Sequence, residues 1–82
     1  MENLKKKLLY QSMHRGCKET DLVLGEFAAQ HLKDMNEHDL KIYEQILAIP
    51  DVDIYDYIVH KVDVPDHLKS NVMSLLLNFR IR

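Results

Sequence analysis

Apolar residues in this chain recur at intervals of three and four, which restricts it to helices packed on helices. Leu24, Phe27, Ala28, His31, Leu32 and Met35 make one such stripe. Leu40, Tyr43, Ile46 and Leu47 make a second, and Leu68, Val72, Leu75, Leu76 and Phe79 a third. Val23, Val52, Val62 and Val64 favour strands, but no alternating run accompanies them. The expected fold is all-α, a compact five-helix bundle with short connections, spanning residues 1–82 as one domain. Eighty-two residues leave no room for a second core and little volume for a deep cavity, which favours binding over catalysis.

Two glycines and two prolines punctuate the pattern. The first helix is read from about Leu4 to His14, with Asn3 as N-cap and Gly16 as the left-handed stop. The second runs from about Lys18 to Leu32; Gly25 inside it marks a close helix crossing. Asn36 caps the third, with Asp39 as the acid of a capping box and Met35 and Leu40 as a hydrophobic staple. Pro50 ends that helix. Asp51 is read as the cap of a short fourth helix whose inner face is Ile54, Tyr57 and Ile58. Pro65 opens the fifth.

The composition, 46% hydrophobic and 29% charged, is that of an ordinary globular chain. A single cysteine, Cys17, excludes an internal disulfide and a cysteine-based zinc site, and fits a reducing compartment. No apolar run reaches the roughly 18 residues of a membrane span, and the opening MENLKKKLLY lacks a signal-peptide core. The expected setting is a bacterial cytoplasm or, in a eukaryote, the mitochondrial matrix. The net charge of −2 hides an asymmetry. Residues 1–18 hold five basic residues against Glu2, and residues 34–66 hold nine acids against Lys41 and Lys61. Such a dipole orients a molecule on a charged protein partner, while most of these charges simply solvate the surface. The basic run Lys5–Lys7 is too thin for a nucleic-acid patch.

Polar residues converge at one junction, His14-Arg15-Gly16-Cys17-Lys18-Glu19. Arg15 projects from the end of the first helix and Glu19 from the first turn of the second, each favoured there by the helix dipole. Two compatible readings follow. Arg15 and Glu19 cap and pair about a glycine turn, or they form a rigid polar knuckle offering charge-assisted bonds to another protein. Cys17, next to cationic residues, has no base or orienting acid that would make it a catalytic nucleophile, and a half-buried thiol is the expectation. The five histidines make no H-x-x-x-H pair on any helix and no metal-type constellation; His31 falls in an apolar stripe as a packed residue. No catalytic residue and no metal site is assigned. Tyr43, Tyr55 and Tyr57 are read as core-edge packing, with one of Tyr55 and Tyr57 exposed.

The run Arg15-Gly16-Cys17-Lys18-Glu19 resembles the R-G-x-x-E motif of the SdhE (YgfY-like) FAD assembly factors, and the likeness continues through Asp21. Phe27, the Asn36-to-Leu47 helix and Asp51-Val52-Asp53-Ile54-Tyr55-Asp56-Tyr57 resemble later family segments in order and spacing, so coverage is about residues 8 to 79. One departure is that the family often carries tryptophan in the fourth-helix segment, where this chain has Tyr57 and no Trp anywhere. The resemblance implies a five-helix bundle that is not an enzyme and binds the flavoprotein subunit of succinate dehydrogenase or fumarate reductase. It implies that Arg15, Gly16 and Glu19 lie in the contact surface, with Lys18 and Asp21 beside them. FAD would be the group attached to the partner and not a cofactor held here, and the free factor would be a monomer. The competing class is a regulatory binder such as an antitoxin-like inhibitor; a Cys17 thiol enzyme and a nucleic-acid binder follow.

Overall fold

The described residues, 2–79 of a computed structural model, turn the three apolar stripes into helix faces. Five α-helices follow one another: α1 (Glu2–Met13), α2 (Lys18–His31), α3 (Glu37–Leu47), α4 (Asp51–Ile58) and α5 (Asn71–Leu77). Short 3-10 turns at Leu32–Asp34 and Asp66–Leu68 complete the path. The all-α expectation holds. Met1 and residues 80–82, the ends of the expected 1–82 domain, lie outside the described residues.

Burial explains why each helix sits where it does. Leu8 from α1, Leu24 and Phe27 from α2, Leu40 and Tyr43 from α3, Ile54 from α4 and Val72 from α5 are all fully buried in one cluster. Each such side chain contributes about 1.5–3 kcal/mol of transfer free energy. Phe27 is central: its ring lies 5.6 Å from that of Tyr43, 5.6 Å edge-on from Phe79 and 4.7 Å from the packed His31. Tyr43 is a core residue, not the core-edge residue that its ring and hydroxyl suggest. Its hydroxyl is 2.6 Å from Ser12 Oγ, which already donates to the Leu8 carbonyl at 2.7 Å. The single Ser12 proton being spent, Tyr43 is the donor, and both buried hydroxyls are satisfied.

Several local signals behave as read. Gly25 meets α1 closely; a Cβ there would stand 3.1 Å from Met13 Cγ. Asn36 Oδ1 accepts from the Asp39 amide at 2.8 Å and caps α3, and the staple residues Met35 and Leu40 are both buried. Asp39, however, spends its carboxylate on Asn71 Nδ2 at 3.1 Å, tying α3 to α5.

Other boundaries differ. Asn3 lies inside α1 and does not cap it, and α1 stops at Met13. Pro50, extended at φ −57° and ψ 148°, takes the N-cap position of α4, so Asp51 falls inside the first turn with its side chain free for another partner. Pro65 opens only the 3-10 turn. Ser70 starts α5, its Oγ accepting from the Met73 amide at 3.0 Å. With α5 phased from Ser70, Met73 turns inward and Leu75 is left 47% exposed. Tyr55 and Tyr57 are both half-buried, so neither is the exposed tyrosine expected.

Candidate partner-binding corner

The loop between α1 and α2 is four residues long, 14–17, and its geometry is set at Gly16, whose φ is +93°. That left-handed backbone favours glycine, and reversing the chain there brings Lys18 into α2 at once. Cys17 is the N-cap of α2 in extended conformation, without a side-chain bond to the first amides. Its half-buried Sγ instead accepts from Thr20 Oγ1 at 3.3 Å and lies 3.7 Å from Glu19 Oε2. The buried Thr20 hydroxyl is thereby satisfied.

Arg15 corrects the sequence reading most sharply. Its guanidinium does not project outward, nor does it pair with Glu19. It folds back beneath the corner with a side chain 11% exposed. Nε donates to Asp51 Oδ1 at 2.5 Å, Nη1 to the Leu47 carbonyl at 2.6 Å and Nη2 to the Ile49 carbonyl at 2.5 Å. Leu47 is the last residue of α3 and Asp51 the first of α4. A cation at a helix C-terminus and an anion at a helix N-terminus each complement the dipole. Three charge-assisted bonds in fork geometry offset the cost of desolvating the guanidinium. From its backbone, Arg15 also donates its amide to Asp21 Oδ1 at 2.8 Å, inside the first turn of α2. One residue therefore joins the α1–α2 corner to the α3–α4 corner.

The other motif residues divide cleanly. Gly16, Lys18 and Glu19 are exposed and form the outer edge; Asp21 is half-buried and holds the loop from within. The structure brings all five together at one corner but puts Arg15 and Asp21 beneath it and the other three on its rim. Asp51 is the member that sequence reasoning assigned elsewhere. Its signal was misleading, because an aspartate just before an apolar run reads as a cap.

Beside the corner, Tyr10, Gln11, His14, Arg15, Glu44, Leu47, Ala48 and Asp51 line an open groove of ≈ 480 Å³. Tyr10 and His14 stack there at 4.2 Å. Among the described residues no group of three or more His, Cys, Asp or Glu side chains is placed to hold a metal ion. No described helix is long and apolar enough to cross a membrane.

The pattern of a family described as flavinator of succinate dehydrogenase matches residues 6–80. Mitochondrial succinate dehydrogenase assembly factor 2 of Dictyostelium discoideum is 42% identical over 76 residues, which is 93% of this chain and 54% of that protein. The proteins of the same name from Meyerozyma guilliermondii and Kluyveromyces lactis are 40% and 42% identical, over 92% and 95% of this chain and 58% and 52% of their own lengths. The chain thus spans about half the length of these relatives. The family match runs from within α1, through the buried arginine and the glycine turn, past the end of α5, and the chain belongs to the flavinator of succinate dehydrogenase family.

Proposed function

We propose that this chain is an assembly factor that binds the flavoprotein subunit of succinate dehydrogenase, or of the related fumarate reductase, and promotes covalent attachment of FAD to that subunit. The family match supports the client, and the names of the relatives support a mitochondrial setting. The observation that carries the reading physically is the rim formed by Gly16, Lys18 and Glu19, exposed yet fixed from below by Arg15 and Asp21. A pre-organised edge loses little conformational freedom on binding, so its charge-assisted bonds are realised as affinity.

The mechanism is differential binding. The factor favours the arrangement of its client in which the flavin bond forms and thereby increases the population of that state. It supplies no acid, base or nucleophile, and FAD becomes part of the client. The test is reconstitution: purified flavoprotein subunit and FAD are incubated with the native chain, Glu19→Ala or Gly16→Arg, and covalent flavin is read by in-gel fluorescence. The native chain should raise the yield and both variants should lower it. Unchanged yield with both variants would remove this corner from the mechanism.

A further inference from the structure

We infer that Asp51, on α4, is a positioning residue for client binding, acting through Arg15 on a rim to which it contributes no side chain. The inference rests on the proposed function of that rim. Among the guanidinium's three acceptors, Leu47 and Ile49 offer backbone carbonyls, and Asp51 alone offers a side chain and a charge. The Leu47 carbonyl is an orphan acceptor of the last turn of α3 and the Ile49 carbonyl lies two residues beyond that helix, and any cation or water can satisfy either. They hold Arg15 near the α3 terminus without fixing its direction. The Nε–Asp51 bond fixes it, because Nε is the guanidinium donor closest to the main chain and its direction sets the last torsions of the side chain.

The path onward is short. The Arg15 amide donates to Asp21, so the peptide between His14 and Arg15 is held by α2 while the side chain is held by α4. Gly16 follows directly, with φ +93° and exposed, and a Cβ built there meets no atom beyond its chain neighbours within 4 Å. The direction in which the Gly16 end of the rim faces is therefore set by the residue before it and by the two carboxylates that grip that residue. Asp51 keeps its place because Pro50 occupies the cap position, which relieves the Asp51 side chain of capping duty.

The experiment measures affinity for recombinant flavoprotein subunit of succinate dehydrogenase, with the full chain, at a temperature where circular dichroism shows every variant folded. The variants are Asp51→Asn, Asp51→Glu, Glu19→Ala, the double Asp51→Asn/Glu19→Ala, and Val72→Ala as a control that destabilises the core from α5. Asp51→Asn should weaken binding about tenfold, the scale of one charge-assisted bond. Asp51→Glu should restore part of the loss. Val72→Ala should bind normally despite a lower melting temperature. In the double variant the Asp51→Asn effect should shrink, since a misdirected rim costs little once its carboxylate is gone. The inference is overturned if Asp51→Asn binds like the native chain, if Val72→Ala loses affinity equally, or if the two effects multiply independently. If Glu19→Ala binds normally, the reading of the rim itself fails, an outcome distinct from failure of Asp51 alone.

Discussion

Gly16 offers a test in which folding and surface chemistry separate. Its φ of +93° is disfavoured for L-residues, yet a Cβ there would meet no atom beyond its chain neighbours within 4 Å. Gly16→Ala therefore adds a methyl group that touches nothing, and the whole cost is torsional, roughly 1–2 kcal/mol. Stiffening the unfolded chain returns about 0.4–1 kcal/mol. The net loss is about 1 kcal/mol, equivalent to a fall of roughly 4–8 °C in melting temperature for a domain of this size. D-alanine at the same position carries the same methyl with the opposite torsional preference. It keeps the unfolded-state gain without the penalty, so it should stabilise by about 0.4–1 kcal/mol. Cys17, the only cysteine, follows directly and supplies the junction for ligating two synthetic peptides. The assay is thermal unfolding of the glycine, L-alanine and D-alanine proteins side by side. Equal melting temperatures for the two epimers, or a more stable L-form, would refute the assignment of strain to this turn.

Removing the Arg15 side chain should cost more than any change at the rim. Arg15→Ala forfeits bonds to one carboxylate and two carbonyls and should lower stability by about 2–3 kcal/mol in urea unfolding; Arg15→Lys should recover only part, because one ammonium cannot span the three acceptors of a fork. Tyr43 governs alkaline stability: burial, against the opposing Arg15 charge, pushes its pKa up from 10.0 to about 12. The folded state then holds a proton that the unfolded state releases between those values, so this contribution is intact below pH 10 and is lost as pH rises toward 12. The loss amounts to roughly 3 kcal/mol, and Tyr43→Phe should flatten that limb of a stability–pH curve.

The sequence carried the helices because a buried face imposes a period, and Leu24, Phe27, Leu40, Tyr43, Val72 and Leu76 keep it. Asn36 and Gly25 were legible for a similar reason: each does its work within its own turn or at a position where only a small residue fits. Arg15 was not legible. Its acceptors lie 32 to 36 residues downstream, and two of them are carbonyls, which leave no trace in side-chain identity. Asp51 reads as a cap from sequence because a cap and an ion-pair partner look alike until the proline before it is seen in the cap position. The start of α5 is obscured in the sequence because Pro65 suits a 3-10 turn as well as a helix, while Ser70, the better signal, stands five residues later. The motif residues could be grouped from sequence. Which of them face outward required the packing of α3 and α4 against the corner.

The central claim is that Arg15 is committed inward while Gly16, Lys18 and Glu19 face the client. The direct measurement is NMR of the isotope-labelled chain titrated with unlabelled flavoprotein subunit, following the backbone amides together with the Arg15 Nε–H signal. The amides from Gly16 to Glu19 should shift or broaden on binding, and the Arg15 Nε–H should stay slow to exchange and near its free position. A corner that does not respond, or an Arg15 Nε–H that leaves Asp51 when the client binds, would contradict the account.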